Sequence, residues 1–291
     1  MHAVQLNIDS AEIYTCKFSL DGARALVGLQ RNPVGLWDLT TGDLVRAFEH
    51  TGKVWALAWS EDQKTMLSLD GKMRLWDVET GECLREFDGR HERCLAWRSA
   101  QKRSLTASNN ILQLTDLESG QRLFEMNGHS DGIYCAAFDE TGERALSGSR
   151  DGTVRIWDLK TGSCIRVLEA HTYHVHGVAW AADEKHAVSC SREIRLWDIE
   201  NGECVRVFNG HTDTIRTVQW SRDQRQLLSA AHDGTVRLWD VKTGECLHVF
   251  ERHPVGLVSA TFNDDQQEVL SCDWSGGIWV RDLGRFDSDN Y

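Results

Sequence analysis

The chain has 291 residues, a length that suits one large domain. It carries 44 Asp and Glu residues against 32 Lys and Arg, a formal net charge of −12, which argues against a general nucleic-acid or anionic-membrane surface. Residues 1–16 have neither the basic nor the apolar region of a secretory signal, and no apolar run approaches the roughly 18 residues that span a bilayer. Composition therefore predicts a cytoplasmic protein that binds neither nucleic acid nor membrane.

The nine cysteines recur at related positions of an internal repeat. Four of them, Cys83, Cys164, Cys204 and Cys246, follow a turn glycine by two residues, and Cys16, Cys94 and Cys135 precede an aromatic residue. Equivalent positions of successive repeats do not face one another, so we expect free, buried thiols in a reducing compartment and no disulfides.

A repeat of about forty residues occupies the whole chain. The stretch Asp-Gly-Thr-Val-Arg-Ile-Trp-Asp at 151–158 returns almost unchanged at 233–240, and a related copy lies at 70–77. The aspartates that end the successive Trp-Asp-like pairs are 39, 39, 42, 40, 42 and 42 residues apart. These aspartates are Asp38, Asp77, Asp116, Asp158, Asp198, Asp240 and Asp282.

Each copy has the pattern of four short strands. The segment 153–157 is β-branched and aromatic, and Asp-Gly and Thr-Gly turns bound it. Such dipeptides suit tight hairpins because aspartate tolerates unusual backbone geometry and glycine accepts positive φ. In the fourth copy the predicted strands are about 133–139, 144–149, 153–158 and 163–168.

The recurring Gly-His, Asp-Gly and Trp-Asp pairs closely resemble those of the WD-repeat family, and the Thr-Gly-Glu-Cys phrase is similar to bacterial members. The resemblance implies an all-β, seven-bladed β-propeller of four-stranded antiparallel blades around a central channel. The predicted blades cover about 11–48, 53–87, 93–126, 133–168, 175–208, 215–250 and 257–283.

The N-terminal strand is predicted to close the ring. The seventh copy stops after its third strand, whereas residues 3–6 have the pattern of the fourth strand at 204–207. We therefore expect residues 2–7 to complete the seventh blade, which removes an exposed sheet edge.

The family resemblance also implies a buried hydrogen-bond set of His, Ser or Thr, Asp and Trp in each blade. Two blades carry the set whole, as His129, Ser147, Asp151, Trp157 and as His211, Ser229, Asp233, Trp239. The second blade has His50, Ser68, Asp70 and Trp76 on a hairpin that is two residues shorter. The other blades depart from the set through Val27 and Arg31, through His91 and Thr115, through the short turn 191–193 after His171, and through Ser275 and Arg281.

Residues that differ between copies indicate a binding surface. In WD-repeat propellers the residue four before the aromatic of the first strand typically points onto the top face, at one mouth of the channel. Here these residues are Tyr14, Trp55, Arg93, Tyr134, His176, Arg216 and Val258. The residues before the turn aspartate also border this face, namely Gln30, Leu69, Arg150, His232 and Trp274, with Glu12, Lys53 and His174 further along the rim.

Trp, Tyr and Arg are enriched at interface hot spots, so this set predicts a non-catalytic scaffold that binds a partner protein or peptide. The protein-binding residues are predicted to be Tyr14, Trp55, Arg93, Tyr134, Arg150, His176, Arg216, His232 and Trp274. The aromatics could instead close the channel mouth, and the arginines could form a solvated rim or receive carboxylates or a phosphopeptide. We expect a chain that is a monomer alone or a subunit of a complex.

Two other kinds of function stay open. One is a sensor module that works with a signalling or nucleotide-hydrolysing partner. The other is a metal or enzymatic site in the histidine-rich segment 171–176, although no carboxylate or cysteine is placed there as an obvious further ligand. The repeated Ser, His and Asp have the spacing of the blades, so we expect no catalytic residue, no metal and no cofactor.

Overall fold

The computed structural model describes residues 2–6, 13–29, 33–91, 93–169 and 171–283. Its strands form seven four-stranded antiparallel sheets. The innermost strands of successive sheets contact one another all the way round, so the sheets form a closed ring. The predicted seven-bladed β-propeller is confirmed.

The strands of the first six blades follow the chain order from the channel outward. Blades 1 to 3 contain β2 Ile13–Phe18, β3 Arg24–Leu29, β4 Val34–Asp38, β5 Leu44–Phe48, β6 Ala56–Trp59, β7 Thr65–Leu69, β8 Gly71–Asp77, β9 Cys83–His91, β10 Leu95–Arg98, β11 Arg103–Ser108, β12 Ile111–Asp116 and β13 Arg122–Met126. Blades 4 to 6 contain β14 Ile133–Phe138, β15 Arg144–Ser149, β16 Thr153–Asp158, β17 Cys164–Glu169, β18 Gly177–Trp180, β19 His186–Cys190, β20 Ile194–Asp198, β21 Cys204–Phe208, β22 Ile215–Trp220, β23 Gln226–Ala231, β24 Val236–Asp240 and β25 Cys246–Val249. In the described ranges the helical content is one 3₁₀ turn, Ser99–Gln101, and no helix there could cross a membrane.

The seventh blade joins the two ends of the chain. It contains β26 Leu257–Phe262, β27 Glu268–Asp273, β28 Gly277–Asp282 and the N-terminal strand β1 His2–Gln5, which pairs antiparallel with β28. Leu6, which follows β1, is 1% exposed and packs in one hydrophobic cluster with side chains of blades 7 and 1, including Ile278 and Cys16. The predicted closure by the N-terminal strand is confirmed.

The turn between the two outer strands of a blade depends on the aspartate of the Trp-Asp pair. The Asp158 carboxylate accepts the backbone N–H groups of Lys160 and Thr161 at 2.8 and 2.9 Å. Gly162 then takes φ +73°, a conformation that L side chains rarely adopt. The same turn recurs in blades 1, 2, 3, 5 and 6, with Gly42, Gly81, Gly120, Gly202 and Gly244 at positive φ.

Arginines on the outermost strands connect neighbouring blades. Arg166 of β17 donates to the carbonyl oxygens of Glu200 and Asn201, in the turn of the next blade, at 2.7 and 3.0 Å. A Cβ on Gly202 would lie 2.8 Å from Cδ of Arg166, so this close approach also requires glycine in the turn. Equivalent contacts are made by Arg46, Arg85 and Arg206.

Blades 4 and 6 contain the buried hydrogen-bond set complete. His129 Nε2 lies 2.7 Å from Ser147 Oγ, the Trp157 indole N–H donates to the same oxygen at 2.8 Å, and His129 Nδ1 lies 2.8 Å from Asp151 Oδ2. Because the carboxylate can only accept, His129 donates from Nδ1 and accepts the serine hydroxyl at Nε2. Blade 6 repeats this arrangement with His211, Ser229, Asp233 and Trp239.

Two blades that depart from the sequence pattern keep these bonds by other residues. In blade 5 the Glu193 carboxylate accepts from His171 Nδ1 at 3.0 Å, so the longer side chain compensates for the shorter turn. In blade 7 Ser275 stands at the position of the turn aspartate, and Asp273, two residues earlier, accepts from His253 Nδ1 at 2.9 Å instead. Arg281 replaces the tryptophan there and donates to Ser271 Oγ at 2.6 Å.

The remaining three blades keep only part of the set. In blade 2, His50 Nδ1 donates to the Phe48 carbonyl at 2.7 Å and not to Asp70, while Ser68 still bonds His50 and Trp76. In blade 1, where Val27 replaces serine, the buried Trp37 Nε1 has no hydrogen-bond partner among the described residues. In blade 3 the Thr115 hydroxyl is likewise buried without one, and Arg31 and the side chain of His91 lie outside the described residues.

The cysteines are all free in the described residues, and only some of them are buried. Cys16, Cys94, Cys190 and Cys272 are buried, and burial raises the pKa of Cys94, so this thiol stays protonated at neutral pH. The prediction of burial is wrong for Cys83 and Cys246, which are exposed. Both lie on an outermost strand opposite Trp76 and Trp239, at a β-bulge.

Buried histidines make the fold sensitive to acid. Burial is the main cause that lowers the pKa of His129, against the opposing effect of Asp151, and it lowers the pKa of His50, His171, His211 and His253 likewise. Unfolded histidines take up protons near pH 6.5, whereas the folded ones stay neutral there. Stability is therefore complete above about pH 6.5 and falls as the pH decreases below it.

We predict that the free energy of unfolding falls between pH 6.5 and 5, by up to about 1.4 kcal/mol per pH unit for each such histidine. Urea unfolding across this range measures the slope. His129→Gln should reduce the slope of the free energy against pH by the contribution of about one proton, roughly 1.4 kcal/mol per pH unit. Trp157→Phe alters the same set but keeps the histidine, so it should leave the slope unchanged. A free energy that stays constant from pH 7 to pH 5 would contradict this account.

We also predict that the closure contributes strongly to stability. Leu6→Ala should cost about 2–5 kcal/mol because it leaves a cavity among buried side chains. The melting temperature should fall by roughly 5–10 °C, and further when residues 1–8 are removed. Leu20→Ala is the matched control, since Leu20 is 55% exposed and should change stability by no more than about 0.5 kcal/mol. Equal melting temperatures for the two variants would refute the contribution of the closure.

Candidate functional site

The innermost strands surround a channel cavity of about 410 Å³. Near its top mouth, where these strands begin, Tyr14, Tyr134, Arg216 and Val258 each occupy a β-bulge. A bulge residue has no partner in the sheet register and can point away from the sheet, here toward the channel. Trp55, Arg93 and His176 line the same cavity just before the first strands of blades 2, 3 and 5.

Three aromatic side chains from blades 7, 1 and 2 meet at this mouth. Tyr14 contacts Trp55 and Trp274 edge to face, with ring centroids 6.0 and 5.9 Å apart. Lys53 Nζ lies 3.3 Å from the Tyr14 centroid and 4.0 Å from that of Trp55. These are cation–π contacts, which hold the ammonium group over both rings.

Cationic and imidazole side chains continue the circle through blades 3 to 6. The Arg93 guanidinium lies 5.1 Å from the Trp55 ring and 5.2 Å from that of Tyr134. Tyr134 stacks on His176 with centroids 5.1 Å apart. Arg216 Nη1 donates to His176 Nδ1 at 3.3 Å.

His232 of blade 6 completes the circle, with its ring 5.5 Å from Trp274. Eight of the nine residues predicted to bind a protein thus lie together, with at least one from each blade. We call this set the top-face ring: Tyr14, Trp55, Arg93, Tyr134, His176, Arg216, His232 and Trp274.

The ring has a positive potential although the chain is acidic overall. Its members include two arginines and no carboxylate, and Lys53 adds a third cation beside them. Burial, together with the nearby Arg216, His174 and His232, lowers the pKa of His176 to about 3. Burial and Arg216 also lower the pKa of His232. Both imidazoles are therefore neutral at pH 7, and the positive charge is carried by the arginines and Lys53.

Arg150, the ninth predicted residue, lies beside the ring. It is exposed and pairs with Asp131 at 3.5 Å. Together with Arg93 and Asn110 it lines a polar notch of about 290 Å³ between blades 3 and 4. The notch adjoins the short hairpin of blade 3, where Asn109 has φ +52°. This feature was missed from the sequence, and its signal was the absence of the usual Asp-Gly turn.

Four other residues assigned to this face from the sequence are either buried or lie outside the described residues. Leu69 and Val258 are buried, with 0% and 6% of their surface exposed. Glu12 and Gln30 lie outside the described residues. Sequence reasoning also missed the pair formed by Arg192 and the exposed Tyr173, whose ring centroid is 4.1 Å from the guanidinium carbon.

The histidine-rich segment 171–176 is divided between two environments. His171 belongs to the buried set of blade 5, where Nε2 lies 2.6 Å from Ser189 Oγ. His174 and His176 lie at the channel mouth and both contact Tyr134. Among the described residues no group of three or more His, Cys, Asp and Glu side chains could hold a metal ion.

One hydrogen-bonded set has the residue types of a catalytic triad, namely Ser147, His129 and Asp151, but its surroundings differ from those of an active site. Ser147 is 0% exposed, and its hydroxyl is bonded to both His129 and Trp157. Although burial opposes ionisation of Asp151, hydrogen bonds from Thr153, His129 and Ser130 lower its pKa to about 2. A nucleophile must reach a substrate, so these contacts suit a structural role.

The matches to curated proteins are short and extend over 40 to 57 residues. The F-box/WD repeat-containing protein lin-23 of Caenorhabditis elegans is 46% identical over 44 residues, 15% of this chain and 6% of that protein. The ribosome biogenesis protein BOP1 homolog of Drosophila grimshawi is 40% identical over 57 residues, 20% of this chain and 7% of that protein. The lissencephaly-1 homolog of Branchiostoma floridae is 50% identical over 40 residues, 14% and 10% of the two chains. The matches thus span at most a tenth of these relatives.

A family model covers far more of the chain. The model described as WD domain, G-beta repeat matches residues 42–77, 120–158, 162–198, 202–240 and 244–282, which together exceed half of the sequence. The matched segments include the intact Trp-Asp pairs of blades 2, 4, 5 and 6. With seven four-stranded blades around a channel, the chain belongs to the WD-repeat family.

Proposed function

We propose that the chain is a non-catalytic interaction platform that binds a partner protein or peptide across the top-face ring. The observation that carries this proposal is the continuity of the ring, in which eight side chains from all seven blades contact one another around the channel mouth. Aromatic and arginine side chains of this kind supply most of the binding energy at protein interfaces.

The fixed positions of the ring side chains support the same function. Each ring residue lies near the start of an innermost strand or in the hairpin between the second and third strands of its blade, and its neighbours in the ring contact its side chain. A partner would therefore meet a surface that needs little ordering on binding, which reduces the entropic cost of association. In this proposal the aromatic part anchors the partner, and Arg93 and Arg216 orient it.

The relatives support a role in assemblies without naming the partner. Their printed names refer to an F-box protein and to ribosome biogenesis, and these matches cover 44 and 57 residues of this chain. We therefore propose only the general function, in which the chain acts alone or as a subunit of a complex. The free cysteines and acidic charge support a reducing compartment, and we propose the cytoplasm.

We predict that replacing the aromatic part of the ring abolishes partner capture. The variant with Tyr14→Ala, Trp55→Ala and Trp274→Ala should lose the proteins that the wild type captures from native lysate, with affinities at least about 100-fold weaker, because hot-spot aromatics each contribute upwards of about 1–2 kcal/mol. Quantitative mass spectrometry of the captured proteins measures the change.

The matched control removes exposed apolar side chains far from the ring. Leu84→Ala, Val205→Ala and Leu247→Ala lie on outermost strands, at 48%, 51% and 44% exposure. This control should retain every partner, and both variants should show cooperative melting. A folded ring variant that captures the same proteins as the wild type would reject the top-face assignment. Loss of capture in the control instead would point to the outer edges of the blades.

A further inference from the structure

Arg216 lies at the channel mouth, and among the described residues no carboxylate pairs with it. Its side chain is half-buried, and this burial lowers the pKa of the guanidinium. In the part of the chain that the structure describes, its guanidinium makes one hydrogen bond, from Nη1 to His176 Nδ1, and Nε is buried without a partner. A buried charge of this kind is costly unless an anion or several acceptors surround it.

Two buried arginines elsewhere in this fold do have such acceptors. Arg74 pairs with Asp70 at 2.7 Å and with Glu86 at 2.9 Å. Arg281 donates to Ser271 Oγ and to the Glu251 carbonyl oxygen, at 2.6 and 2.8 Å. Arg216 has neither a carboxylate nor a carbonyl acceptor among the described residues, and it lines the channel cavity.

Two imidazoles provide further donors beside this guanidinium. Because His176 accepts the arginine N–H at Nδ1, its neutral ring carries the hydrogen at Nε2. His232 Nε2 is buried and has no hydrogen-bond partner in the described part of the chain. The carboxylates whose charges reach His232 are Asp213 and Asp233, which are already bonded to the Thr214 N–H and to His211, respectively.

We propose that Arg216, His176 and His232 form an anion site at the top mouth of the channel, which takes one carboxylate or phosphate group. The anion would supply the acceptors that Arg216 lacks, and the planar guanidinium suits oxyanions with two oxygens in one plane. The site does not require a partner protein, because Arg216 and His176 line a cavity of this chain and His232 lies in the same blade as Arg216. The group could be a free anion or part of a bound partner.

Titration with inorganic phosphate tests the site directly. Proton NMR would follow the histidine ring signals at fixed pH, with sodium chloride added to the reference sample at equal ionic strength. The variants His176→Gln and His232→Gln assign the two signals among the 12 histidines. We expect both signals to shift saturably with phosphate and not with chloride, while the signal of His248, on the outermost strand of blade 6, stays unchanged.

Charge-matched variants separate this site from general attraction to the protein surface. Arg216→Gln should weaken phosphate binding at least about tenfold, because a charge-assisted bond to the anion is lost. Arg222→Gln removes the same charge beyond the other end of β22, where Arg222 pairs with the exposed Asp264, and should bind phosphate as the wild type does. If Arg216→Gln melts early, Arg216→Lys, which keeps the charge without the planar fork, should still bind more weakly than the wild type.

A wild type without a saturable response, or an Arg216→Gln variant with unchanged affinity, would overturn the proposal. Competition distinguishes the two sources of the anion. If phosphate releases captured partners from the wild type, the group belongs to a partner; if it binds without releasing them, the site serves a free anion. The Tyr14, Trp55 and Trp274 alanine variant should still bind phosphate, so the failure of partner binding and the failure of the anion site are distinguishable.

Discussion

The junction between the last and first blades is the constraint on which the rest of this molecule depends. Strand β1 pairs with β28, and Leu6 packs among side chains of both blades. The contact between Tyr14 and Trp274 crosses the same junction at the channel mouth. Opening it would expose the edge of β28 and would also separate two members of the top-face ring, so the closure that stabilises the fold assembles the candidate site as well.

The sequence was sufficient to predict the architecture because spacing and turn chemistry repeat. Regular intervals between Trp-Asp pairs indicated seven blades, and the pattern of residues 3–6 indicated the closure. Six of the eight ring positions could be chosen because each lies four residues before an aromatic residue of the first strand, and His232 and Trp274 because each precedes the position of the turn aspartate. Their mutual contacts could not be predicted, since the cation–π and stacking geometry depends on how seven blades curve around one channel.

The hydrogen bonds that were not predicted are made by residues of another type, or by residues at another position in the sequence, than the family pattern expects. Asp273 precedes the expected position by two residues, yet its carboxylate reaches His253. Glu193 does the same for His171 because its side chain is one methylene longer. Arg281 replaces an indole by reaching Ser271 with a guanidinium N–H. In each case the structure keeps the bond at the buried imidazole or hydroxyl and changes the residue that makes it, since an unsatisfied buried group is costly.

At the bulges that begin four of the innermost strands, one residue fixes the strand in the sheet and the next presents its side chain to the channel. Tyr14, Tyr134 and Arg216 have no partner in the sheet register, while Ile13, Ile133 and Ile215 beside them are buried and fix the strands. The side chain at a bulge can therefore be exchanged without shifting any strand. One scaffold can in this way carry different side chains around its channel, and selectivity for a ligand then depends on the residues at the four bulges.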